Sequence, residues 1–145
     1  MIEEIRHSNK IIAIIIRSGY NEQGIHFFTP NDFSQQLAYM SHPAGHVIGA
    51  HYHNPVPREV IYTQEVLVIR RGRLRVDFYD GARNHFESRE LEAGDVILLA
   101  SGGHGFEVLE ELEMLEIKQG PYCGDRDKTR FEGNPTRPMT DAKEK

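Results

Sequence analysis

The chain has 145 residues, 39% of them hydrophobic, one cysteine and a formal net charge of −5. This length predicts one globular domain that buries a core without covalent staples. The acidic balance excludes a basic nucleic-acid-binding surface, and Cys123, with no second thiol to pair with, fits a reducing, cytoplasmic setting.

In chain order, nearly every patterned segment reads as strand. Ile11–Ile16 is apolar at every position, so it predicts a strand covered on both faces, the second cover being a partner subunit and the assembly a homodimer. Six residues are far too few to cross a bilayer, and no signal peptide or membrane span is expected. Gly24–Phe28 and Gln35–Ser41 are short strands separated by a turn at Pro30. His46–His53 is the next extended segment, ended by Pro55 and Pro57, which have no backbone N–H to donate to a ladder.

Glu65–Arg70 and Arg73–Tyr79 predict two strands joined by a hairpin at Arg71-Gly72. In the second, Leu74, Val76 and Phe78 alternate with Arg73, Arg75, Asp77 and Tyr79, the mark of a half-buried antiparallel strand. The arginines from Arg70 to Arg75 fall on its solvated face. Further strands are expected at Ser88–Leu91, Val96–Leu99, His104–Leu109 and Leu112–Gln119, with a break at Glu110-Glu111. Many short strands between turns, and almost no helix, predict an all-β fold: an antiparallel sandwich or barrel. Residues 1–133 form that single domain and 134–145 a flexible tail.

Four side chains stand out against this frame. His51 and His53 are two apart, so in a strand they share a face and can chelate one ion. Glu65 has the parity of Leu67 and Ile69, and a carboxylate on a core face needs a partner or a metal. His104 has the parity of Phe106 and Val108 and points inward in the same way.

Gly45, five residues and then His51-Tyr52-His53, followed by Glu65, six residues and Gly72, resembles the first motif of the cupin family. Gly94-Asp95 leading through Ser101-Gly102-Gly103 to His104 resembles the second. The resemblance spans Ser41 to Gln119. It implies a double-stranded β-helix, or jelly-roll barrel, often dimeric, with one divalent metal held by His51, His53, Glu65 and His104. The chain departs from the pattern in three places. Eleven residues separate His53 from Glu65, which leaves Glu59 as an alternative ligand; Ala100 replaces the second motif's proline; and Val108 stands where an asparagine is common.

Three imidazoles and a carboxylate suit iron, manganese, nickel, cobalt or zinc, with open positions for substrate. Arg58, Gln64, Glu116 and Lys118 are the candidate catalytic or substrate-contacting groups around the mouth. The expected activity is a dioxygenase or isomerase acting on a small polar, sugar-like molecule. The alternatives are a non-catalytic small-molecule binder and a metal-free sugar-nucleotide isomerase or epimerase. In the last, a His–carboxylate pair replaces the metal as acid and base.

Overall fold

The computed structural model describes residues 1–135, so residues 136–145 of the expected tail lie outside the described residues. β1 (Ile2–His7) and β2 (Lys10–Ile16) form a tight hairpin. Its two loop residues, Ser8 and Asn9, take φ values of 49° and 64°. Two consecutive positive φ angles make the type I′ turn whose twist matches that of the flanking strands. β3 (Gly24–Phe27) and β4 (Ala38–Ser41) pair as a separate two-stranded sheet. β5 (Glu65–Tyr79), β6 (His85–Glu92), β7 (Val96–Leu99) and β8 (Gly103–Lys118) complete the framework. A short 3₁₀ turn, Gly124–Arg126, follows.

The main sheet runs β1-β2-β7-β5-β6, all antiparallel, with β8 paired to β5. β5 is shared. Its first part, Glu65–Val68, lies between β7 and β8, and its second part, Arg73–Tyr79, lies between β6 and β8. The sheet therefore curls into a half-barrel. Among the described residues there is no α-helix.

The bend lies at Gly72, which corrects the expected hairpin at Arg71-Gly72: β5 is one continuous strand of 15 residues. Gly72 has φ +88°, and a Cβ there would overlap the carbonyl oxygen of Glu111 on β8. A glycine lets the strand bend while both ladders continue. β8 is likewise continuous over 16 residues, so Glu110-Glu111 is not a break. Bulges in the β5–β8 ladder between Ile69 and Leu74 absorb the curvature.

The core lies inside the curl. Ile5, Ala13, Ile15, Leu67, Ile69, Leu74, Val76, Phe78, Leu91 and Ile97 are all buried there. Each large member contributes about 1.5–3 kcal/mol by leaving water. β2 is indeed buried on both faces, but its second cover is internal. Ile14, with Val66 and Leu98, is roofed by Phe28, Phe33 and Leu37 of the same chain. The apolar pattern of β2 is thus satisfied without a partner subunit.

The second motif's Gly94-Asp95 proves to be a structural device. Asp95, 1% exposed, accepts hydrogen bonds from the backbone N–H of Ser18 (2.8 Å) and of Glu92 (2.9 Å) and from Arg17 Nη1 (3.0 Å). Arg17 also pairs with Glu3. Gly94, at φ +92°, would place a Cβ 2.7 Å from the Cβ of Ser18. The arginine-rich face of β5 is held by neighbouring acids: Arg73 by Glu90 and Glu110, and Arg75 by Asp77 and Glu107.

The largest departure from expectation is the segment between β4 and β5. His46–His53 is not a strand. Residues 43–63 are exposed throughout and have no regular secondary structure.

Candidate functional site

Glu65 opens β5, and His104 is the second residue of β8. Directly opposite residues of an antiparallel pair share a face. His104 lies opposite Phe78, and Glu116 and Lys118 lie opposite Leu67 and Glu65. Phe78 and Leu67 both belong to the barrel core. Glu65, His104, Glu116 and Lys118 are therefore all on the inner face of the curl, at its open end.

His104 Nε2 lies 2.7 Å from Glu65 Oε1, with the two side chains 29% and 16% exposed. The hydrogen bond from His104 pulls the Glu65 carboxyl down to about 2, against the opposing effect of burial and with help from a hydrogen bond with Glu116 and the charge of Lys118. Glu116 is shifted the opposite way. Its hydrogen bond to the Glu65 carboxylate raises it, and burial and the Glu65 charge add to the rise, while Lys118 and Lys128 act against it. Two neighbouring carboxyls are thus driven apart: one is held ionised and the other holds its proton longer, an arrangement that separates acid and base roles.

The group opens onto a broad cleft of about 1330 Å³. Its described lining includes five cations, Arg6, Lys10, Lys118, Lys128 and Arg130, against three acids, Asp32, Glu65 and Asp127, which favours an anionic occupant. Phe33, Tyr79, Phe106 and Phe131 supply apolar wall. Asp127 joins the rim to the framework: Thr63 Oγ1 donates to it at 2.6 Å, and Lys118 Nζ lies 3.8 Å from it.

The other sequence candidates fall elsewhere. His51 and His53 stay side by side, with ring centroids 5.4 Å apart, but on the exposed segment, and they do not line the cleft. His51 Nδ1 sits 2.8 Å from the carbonyl oxygen of Gly49. Arg58 and the alternative ligand Glu59 are on the same exposed segment.

Gln64 is 7% exposed and structurally committed. Its Oε1 accepts from Ser34 Oγ and the Gln35 N–H, its carbonyl oxygen accepts from Gln35 Nε2, and its N–H donates to Gln119 Oε1. It pins the start of β5 to the 34–35 turn while lining the cleft.

The structure thus places the four expected metal ligands in two separate locations. The site splits into two halves, Glu65 with His104 and His51 with His53. Among the described residues no group of three or more His, Cys, Asp or Glu side chains is placed to hold an ion.

A second polar cluster, not anticipated from the sequence, joins β5 to β6. His85 Nε2 lies 2.7 Å from Ser88 Oγ, which donates to Asp77 Oδ1 at 2.6 Å, and Arg75 holds the same carboxylate. Asp77 contacts the hydroxyl directly and is 3.9 Å from the imidazole. It does not orient the ring as the third member of a nucleophilic triad would. The cluster is a buried tie between strands.

Among the described residues no helix is long and apolar enough to cross a membrane. No family model, curated protein or solved structure matches this chain.

Proposed function

We propose that this chain is a cupin-type enzyme whose cleft takes a small, polar, acid-bearing molecule and moves a proton on it through the Glu65–His104 pair. The observation that carries the reading is the 2.7 Å contact between His104 Nε2 and Glu65 Oε1 at the mouth of a cation-rich cleft. With Nε2 engaged by the carboxylate, Nδ1 is the ring nitrogen left to exchange a proton with substrate. The Glu65 carboxylate fixes the ring and supports the charge it gains on protonation. Glu116, which keeps its proton to higher pH than an ordinary glutamate, can donate behind it. Lys118 and the other cleft cations counter the substrate's acid group and an oxyanion formed beside it. This chemistry belongs to isomerases and epimerases acting next to a carbonyl.

The test is proton exchange. Keto acids, uronic acids and phosphorylated sugars are incubated with the protein in D₂O and followed by proton NMR. The expected result is deuterium uptake at a carbon beside the carbonyl, unchanged by chelator and lost in His104→Ala.

A second reading, a metal-dependent cupin enzyme or binder using His51, His53, Glu65 and His104, draws on the adjacency of the two rings of His51 and His53. Exchange that vanishes with chelator, returns with one divalent ion and is lost equally in His51→Ala would replace the first reading by this one.

A further inference from the structure

After β8 the chain stays with the barrel. It turns through Gly124–Arg126 and returns along the cleft, where Asp127, Lys128, Thr129, Arg130, Phe131 and Gly133 all line the wall. Residues 127–133 form a strap without regular secondary structure. Past the bond from the Asp127 N–H to the Gly124 carbonyl oxygen, no backbone–backbone hydrogen bond ties the strap to the other described residues. Side chains hold it instead, at two points.

Phe131 is the first. Its ring meets Tyr79 edge-on with centroids 5.2 Å apart, and the Arg83 guanidinium lies 5.5 Å above it. A Cβ on Gly103 would come within 3.0 Å of the same ring, so that glycine makes room for it.

Asp127 is the second, and its partners belong to the cleft. Thr63 Oγ1 donates to its Oδ1 at 2.6 Å, and Lys118 Nζ lies 3.8 Å from its Oδ2. Each carboxylate oxygen therefore faces one donor group. Lys118 is the cross-strand neighbour of Glu65, so this carboxylate sits beside the Glu65–His104 pair. At 3.8 Å the lysine contact is an ion pair without a hydrogen bond. Its side chains are 29% and 18% exposed, and an ion pair open to water is weak enough to exchange. The base of the strap is free of packing: Gly124 has φ +65°, and a Cβ there would meet nothing within 4 Å.

We propose that Thr63 and Lys118 form a carboxylate-binding subsite of the cleft, that Asp127 fills it as a tethered stand-in for a ligand's acid group, and that a free carboxylic acid displaces Asp127 and releases the strap. One ammonium and one hydroxyl match the single charge and two oxygens of a carboxylate. A phosphate dianion would bring a second negative charge toward the ionised Glu65, which the same lysine already faces. Asp127 thus sets a threshold for entry, because a ligand engages only the fraction of chains in which the strap is open. The subsite rests on the reading of the cleft as one for an acid-bearing molecule, but not on the proton transfer proposed there. Tighter acid binding without deuterium uptake would keep the subsite and remove the acid–base chemistry.

The probe is acetate, the detached equivalent of the aspartate side chain, titrated into the full chain at constant ionic strength and followed by amide NMR. Shifts are expected at Thr63, Lys118 and Asp127. Asp127→Asn keeps an acceptor for Thr63 but loses the charge, and should bind acetate about 3- to 10-fold more tightly than wild type. A folded Asp127→Asn that binds acetate no more tightly, or less tightly, would reduce Asp127 to a structural tie and overturn the proposal. So would an equal gain when Lys118→Met is added to Asp127→Asn, since the acid would then bind elsewhere. A gain for inorganic phosphate as large as that for acetate would overturn the assignment to carboxylates. The unaltered protein gives a check that needs no variant. Lys128 and Arg130 are exposed, and acetate should speed tryptic cleavage after both, relative to sodium chloride at equal ionic strength. Cleavage that is unchanged or slowed would refute displacement of the strap.

Discussion

Replacing Glu65 by Gln keeps the size of the side chain and removes the charge that joins His104, Glu116 and Lys118. A fall of the Glu65 carboxyl from an ordinary 4.5 to about 2 corresponds to about 3 kcal/mol, at about 1.4 kcal/mol for each pH unit. The group sits at the open end of the barrel, so solvent screening reduces the expected loss to about 1–2 kcal/mol at neutral pH. The sign of the pH dependence follows from the two carboxyls. Glu65 is depressed, so its contribution is complete above 4.5 and fades as the pH falls toward about 2. Glu116 is raised, so the bond it donates contributes below its unfolded value and fades as the pH rises through its folded one. The stability difference between wild type and variant is therefore largest above 4.5, where Glu65 is fully ionised and Glu116 still holds its proton, and shrinks on both sides. Urea denaturation followed by circular dichroism from pH 3 to 8 measures it. A difference that stays constant over this range, or a variant as stable as the wild type throughout, would refute the coupling.

Four further outcomes are expected. Asp95→Ala removes a buried acceptor of two backbone N–H groups and of Arg17; a loss of about 3–5 kcal/mol is expected, read from the urea midpoint. Gly72→Ala forces a Cβ into the Glu111 carbonyl at positive φ, and should cost about 3 kcal/mol or more by the same assay. Lys118→Met takes away a charge that lowers both carboxyls, so carboxyl carbon NMR titration should find Glu65 and Glu116 both moved upward. Phe33→Ser uncovers Ile14 and should cost about 1–3 kcal/mol, accompanied by increased binding of an apolar dye.

The parts of the fold legible in the sequence are those where one physical rule acts alone. Leu74, Val76 and Phe78 alternate because one face of β5 meets the core, and Ile11–Ile16 is uniformly apolar because β2 meets two layers. Glu65 and His104 were legible as inward-facing for the same reason of parity. Where two rules compete, the pattern misleads. Gly72 reads as a hairpin turn, yet in this fold the ladder to β8 holds β5 continuous and the glycine supplies only curvature. β1 is masked by Glu3, Glu4 and Arg6, whose charges are used in pairs with Arg17, Arg89 and one another. The structural role of Gln64 is hidden from the sequence because its partners Ser34, Gln35 and Gln119 lie 30, 29 and 55 residues away.

The sharing of β5 also imposes a timetable on folding. The β1–β2 hairpin and the β5–β6 hairpin close over short loops, at Ser8-Asn9 and around Asp80–Asn84, and such closures take on the order of microseconds. The ladder between Glu65 and Lys118 joins residues more than 50 positions apart; loop entropy makes such pairing late and slow, on the order of milliseconds to seconds. Until β8 arrives, the concave side of β5 is open, and Leu74 and Val76 are sticky surface instead of core. Dilution and low temperature should therefore raise the refolding yield of this chain more than any change of its local hairpin sequences.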